Sequence, residues 1–193
     1  MKRALSKTDI LKIMDADRHN KSKLSQLAHD LFCFSYLCGG ISLVDMANLT
    51  PLNIIEGRLI YQRQKTHGNI NLQLSDRALL IIDKYSDYQK GANYLFPILQ
   101  SKRHITPMQK HNRVRKYCLH INHELKLLAK ELNITANVTT YVARHSFATI
   151  LKKSGVNIGI ISQALGHQDI KTTQIYLSKF DNEQVDEAMK NLL

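Results

Sequence analysis

Residues 59–74 break the rhythm of an otherwise helical chain. Leu59, Tyr61, Arg63 and Lys65 alternate with Ile60, Gln62 and Gln64, and after Thr66-His67-Gly68 the residues Ile70, Leu72 and Leu74 alternate with Asn69, Asn71 and Gln73. Period two in both runs, joined by a short link that contains glycine, is the pattern of a β-hairpin with Lys65 at or near its turn. Residues 53–55, ahead of Glu56-Gly57, offer a third strand. On either side the period returns to 3.6. Leu24, Leu27, Ala28, Leu31 and Phe34 form a helical stripe over residues 22–38, which Gly39-Gly40 should end. Ser42, with Asp45 three residues on, caps a short helix that Thr50-Pro51 stops. Segments near 76–89, 107–132, 140–153, 157–165, 169–178 and 183–192 also read as helices, with Thr106-Pro107 as cap and first-turn proline, and Ser154-Gly155 and Gly166 as stops. The expected fold class is mainly α with a small antiparallel β-sheet (α+β), in one domain over 1–193.

Charge narrows the partner. Lysine and arginine number 27 against 16 acids, a net charge of +11. Such an excess favours a polyanion, because neutralised phosphates release condensed counterions. No sustained basic amphipathic helix and no apolar run of membrane-spanning length argues for a lipid partner. Met1-Lys2-Arg3 is followed by polar Lys7-Thr8-Asp9 rather than by the apolar core of a secretory signal. Cys33, Cys38 and Cys118 are odd in number and lack metal-ligand spacing, so a reduced, cytoplasmic setting is expected, with no metal and no cofactor.

Three ordered motifs carry the chemistry. Thr140-Tyr-Val-Ala-Arg144-His145-Ser-Phe-Ala-Thr149 precedes Gln163-Ala-Leu-Gly166-His167, and Thr172-Thr-Gln-Ile-Tyr176-Leu follows. These residues resemble the C-terminal signature of the tyrosine recombinase (phage-type integrase) family. Upstream, Phe34-Ser-Tyr-Leu-Cys-Gly-Gly-Ile-Ser-Leu-Val-Asp-Met-Ala-Asn-Leu49 resembles the family's first box, above all in its Bacteroidetes-type members, and Tyr61-Gln-Arg-Gln-Lys65-Thr resembles the hairpin with the family's lysine. The resemblance covers essentially the whole chain.

It implies the DNA breaking-rejoining catalytic fold and site-specific DNA recombination or integration through a 3′-phosphotyrosyl intermediate, in the manner of a mobile-element integrase. Tyr176, nine residues after His167, matches the nucleophile. Arg144 matches a phosphate-clamping arginine, suited to the task because guanidinium is planar, permanently charged and bidentate. His167 matches the position that donates to the phosphate or assists proton transfer. Lys65 matches the general acid for the leaving 5′-oxygen. His145 is expected to be structural. The DNA-binding set implied is Arg63, Lys65 and Arg144, on double-stranded DNA, with a homo-oligomer (tetramer) on DNA and a monomer in its absence. The family's N-terminal DNA-binding domain has no room before the first box. Residues 1–180 are expected to form the catalytic core and 181–193 a C-terminal helix that packs on another protomer.

Two positions depart from the pattern. Tyr141 stands where the family usually has histidine, three residues before Arg144, and a phenol is a poor base near neutral pH. The first-box arginine aligns with Gly39, and no arginine lies between Arg18 and Arg58. Arg63 is the substitute expected, on the ground that it shares a strand face with Lys65. Of the glycine pair, Gly40 is expected to need a positive φ and Gly39 not, so that Gly39→Arg would raise cleavage. The departures imply weakened activity and keep two other readings open: a cleavage-deficient DNA-binding protein on the same scaffold, and a type IB topoisomerase-like enzyme.

Overall fold

In the computed structural model, which describes residues 4–178, most helices begin where a hydroxyl or amide side chain can take up a free N–H. Ser6, Ser22, Ser42, Ser75, Thr106 and Asn157 each accept from a backbone N–H in the first turn that follows. The elements so started are α1 (Lys7–Met14), α2 (Lys23–Leu37), α3 (Leu43–Asn48), α4 (Asp76–Asp83), α6 (Pro107–Glu131) and α8 (Ile158–Leu165). The others are α5 (Ser86–Ala92), α7 (Thr140–Lys153) and α9 (Ile170–Ser178). Asn122 of α6 caps α7 from outside, its Oδ1 accepting from the Thr140 N–H at 2.9 Å.

Three strands, β1 (Ile54–Ile55), β2 (Arg58–Gln62) and β3 (Asn69–Gln73), form an antiparallel sheet in that order. Leu59 pairs with Leu72 and Tyr61 with Ile70, so the apolar members of both alternating runs share one face. The hairpin, the third strand and the mainly α class are as the sequence predicts.

Helix α2 is the centre of the core. Leu27, Ala28, Leu31, Phe32 and Phe34 are buried, and α1, α3, α4, α6 and α7 pack around it. Cys33 and Cys38 are small core residues, as expected. Phe34 meets Phe96 edge-on with ring centroids 5.0 Å apart. A second apolar cluster of Ala148, Ile161, Leu165 and Leu177 fastens α7, α8 and α9 to one another. The chain start is tied to this module, since the Leu5 N–H donates to Ser146 Oγ at 2.9 Å.

Two expectations change. Helix α1 was not among the predicted helices, although Ser6 and Asp9 spell its start. The single helix predicted near 76–89 is two helices, α4 and α5, broken at Lys84-Tyr85. Both side chains there turn inward to the buried Asp30 carboxylate, with Lys84 Nζ at 2.7 Å and Tyr85 Oη at 2.6 Å. The helices predicted over 107–132, 140–153, 157–165 and 169–178 match α6 to α9, while the one over 183–192 lies outside the described residues.

Candidate active site

The site is built around the end of α8. Helix α8 closes at Gly166 with φ +63°, the Gly166 N–H donating to Gln163 and the His167 N–H to Ser162. This is a Schellman ending, which leaves the last carbonyls, Leu165 and Gly166, facing outward with the partial negative charge of a helix C-terminus. A Cβ on Gly166 would stand 2.5 Å from Arg63 Cδ, so only glycine lets the arginine approach.

Two guanidinium groups converge on those carbonyls. Arg144, one turn into α7, is 5% exposed. It donates through Nη2 to Leu165 O at 2.6 Å and through Nη1 to Gly40 O at 2.9 Å. Arg63, just past β2, is 6% exposed and donates through Nη1 to Leu165 O at 3.0 Å and Gly166 O at 3.3 Å. Its Nε lies 3.7 Å from the buried Asp45 carboxylate, an ion pair too long to be a hydrogen bond. Asp45 is oriented in turn by the Ser42 hydroxyl and by the Gln64 N–H, at 2.7 and 2.8 Å.

His167 completes the cluster. Arg144 Nη2 stands 3.2 Å from its Nε2, and because guanidinium can only donate, Nε2 is the acceptor. The other ring nitrogen therefore carries the proton and donates to the Thr173 hydroxyl of α9 at 2.8 Å. Burial, together with the charges of Arg144, Arg63 and Lys65, holds the His167 pKa down to about 4, so the ring is neutral at pH 7. Thr173 comes one turn before Tyr176, which belongs to α9 by its backbone; its side chain lies outside the described residues.

Lys65 stands, exposed, in the turn between β2 and β3, as the sequence predicts. Tyr141 is 54% exposed at the start of α7, its ring edge-on to buried His145 at 4.5 Å. It packs on the histidine that follows Arg144 in the chain. Sequence reasoning read Asp45 as part of a helix cap and overlooked Thr66, Gln168 and Thr173. Thr66 and Gln168 act through contacts that join segments about 100 residues apart, and no local pattern marks such contacts.

At two positions the structure departs from the sequence expectation. Arg63 does not share a strand face with Lys65, because β2 ends at Gln62 and the chain is already turning; the inward turn brings Arg63 to the Leu165 carbonyl. Gly39 does need glycine: its φ is +69°, beside +68° at Gly40, and a Cβ there would lie 2.7 Å from Ala164 O and 2.9 Å from Leu72 Cδ1. The expected gain from Gly39→Arg is withdrawn on both counts.

The fold is that of the DNA strand-transfer recombinases. It matches the crystal structure of XerA recombinase with a TM-score of 0.67 at 20% identity, over 99% of this chain and 65% of that one. It also matches the XerH site-specific recombinase bound to palindromic difH substrate, with a TM-score of 0.72 at 16% identity, over 97% of this chain and 52% of that one. The chain belongs to the phage integrase family, whose model matches residues 3–183. A tyrosine recombinase of Thermosipho africanus (strain TCF52B) is 29% identical over 153 residues, covering 78% of this chain and 50% of that protein. The chain thus spans about half the length of the relatives it matches.

Proposed function

We propose that this chain is the strand-cleaving domain of a site-specific recombinase acting on double-stranded DNA. The observation that supports it best is the meeting of Arg63, Arg144 and His167 at the end of α8, three residues before the helix that contains Tyr176 begins. A scissile phosphate is the natural complement of two fixed guanidinium forks. Tyr176 Oη attacks phosphorus, the bond to the 5′-oxygen breaks, and a 3′-phosphotyrosyl bond keeps the energy needed to rejoin a second strand. The phenol proton passes to Nε2 of neutral His167, which the incoming phosphate makes more basic by offsetting the neighbouring cations. Lys65 gives a proton to the departing 5′-oxygen. Arg63 takes the part of the arginine that Gly39 replaces, while Tyr141 has a secondary place beside the site.

Its relatives among the tyrosine recombinases, and the likeness of its fold to a recombinase on its DNA, support the same reading. No helix among the described residues is long and apolar enough to cross a membrane. Work on DNA as a homo-oligomer, a tetramer on paired sites, in the cytoplasm goes with this function. The isolated domain should bind DNA with strong salt dependence, since its net charge of +11 supplies backbone contacts.

A nicked (suicide) duplex tests the proposal, because cleavage next to the nick releases a short fragment and traps the adduct. A denaturant-stable protein–DNA adduct is the expected result. Tight, salt-dependent binding without any adduct would favour the second reading, a DNA-binding protein that no longer cuts, which the loss of the first-box arginine at Gly39 supports.

A further inference from the structure

Both neighbours of Lys65 are fastened, and to different parts of the molecule. On one side the Gln64 N–H donates to Asp45 of α3 at 2.8 Å. On the other, the Thr66 hydroxyl donates to Gly166 O at 2.9 Å, and the side-chain amide of Gln168 returns a bond to Thr66 O at 2.6 Å. The turn itself is closed by the Arg63 N–H to Gly68 O and the His67 N–H to Arg63 O, each at 2.9 Å. Its tip is therefore joined to the α8–α9 link on both sides of His167, at Gly166 and at Gln168.

We infer that Thr66 and Gln168 are positioning residues for Lys65, forming a latch that holds the lysine turn in register with the link that bears His167 and leads into α9. The inference rests on the strand-cleavage reading above. Lysine has a long flexible stem, so its reach to one oxygen is set by where the backbone of residues 64–66 stands. An exposed hairpin tip held only by its own ladder would wander, and a displacement of about 1 Å can cost on the order of 10²-fold in a proton-transfer step. Gln168 is exposed, so its removal disturbs no core packing. The chemistry is local: a proton moves from Lys65 Nζ to the 5′-oxygen as the P–O bond breaks and the bond from Tyr176 Oη to phosphorus forms.

A 5′-bridging phosphorothiolate separates positioning of the acid from every other role. Sulfur leaves as a thiolate and needs no proton from Lys65. The rates of adduct formation are compared for the parent, Q168A, T66V, T66S, K65A and R144A, on ordinary and on phosphorothiolate nicked duplexes. Q168A and T66V should cleave the ordinary duplex roughly 10-fold to 100-fold more slowly. Both should return to within about 3-fold of the parent on the phosphorothiolate, as K65A does and R144A does not. T66S, which keeps the donor, should recover most of the rate that T66V loses. Unchanged rates for Q168A and T66V on the ordinary duplex overturn the latch, as does an equal loss on both substrates, which would assign the two residues to phosphate binding or to fold. A parent protein that forms no adduct on either substrate overturns the strand-cleavage reading itself, and the latch with it.

Discussion

Arg63 and Arg144 donate to one and the same oxygen, the Leu165 carbonyl, at 3.0 and 2.6 Å. Two buried cations this close repel. Here the repulsion is offset by the C-terminal carbonyls of α8 and by Asp45, and a phosphate between the two forks would offset it further. Arg63→Ala should therefore slow adduct formation by roughly 10²–10³-fold, the usual effect of losing a transition-state donor, with a much smaller change in DNA affinity. Arg63→Lys restores the charge but not the fork and should recover only part of the rate. The rates come from the nicked-duplex assay, with circular dichroism on each variant to confirm folding. Unchanged cleavage in Arg63→Ala would show that another group shares the phosphate with Arg144.

Gly39→Arg should destabilise the protein rather than repair it. A side chain at φ +69° costs about 1 kcal/mol, and the Cβ contact of 2.7 Å falls on the Ala164 carbonyl, a backbone atom of α8 that cannot swing aside. The displaced element is the one whose end holds both guanidinium groups. We expect a lower thermal midpoint and no faster cleavage; a stable variant that cleaves faster would refute this account of the glycine pair.

Tyr176→Phe should abolish the covalent adduct and leave DNA binding nearly intact, because in the proposed reaction affinity comes from cations on phosphates and the phenol oxygen alone makes the new bond. A denaturant-stable adduct that survives this substitution would reassign the nucleophile, with Tyr141, exposed at the start of α7, the next to test.

Local chemistry was readable without a structure; long-range chemistry was not. The alternation about Leu59 and Ile70 locates the hairpin because register and burial act on the same residues. The order of Arg144, His167 and Tyr176 puts the candidate site on α7, the α8–α9 link and α9 through matched motifs. By contrast, the two halves of Gly39-Gly40 look alike in sequence, and only the packing of α8 against Gly39 and of Arg144 in α7 against Gly40 shows that neither tolerates a side chain. The alternation of β2 does not extend to Arg63, because the strand ends at Gln62 and the turn, not the strand face, aims the arginine. The break at Tyr85 arises from buried Asp30, 55 residues away, and helix periodicity contains no record of it.

His167 makes the pH dependence testable with a definite sign. Its pKa is held down to about 4 in the fold, first by burial and then by Arg144, Arg63 and Lys65, against a reference near 6.5 in an unfolded chain. Between these values the unfolded state binds more protons than the folded one, so stability is full above pH ~6.5 and falls as the pH drops toward 4. Urea midpoints at pH 7.5 and 5.0 should therefore differ more for the parent than for His167→Gln, which has no proton to gain. A phosphate placed between Arg63 and Arg144 offsets the cations that depress the ring, so DNA binding near pH 5.5 should take up protons. Calorimetry in buffers of different ionisation enthalpy measures that uptake, which should shrink in His167→Gln. Removing one cation should act in the same direction as adding the anion, and Arg63→Ala should raise the His167 pKa in an NMR titration. A ring that titrates near 6.5 in the parent, or one that Arg63→Ala leaves unmoved, would show that Arg63 does not set the charge state of His167.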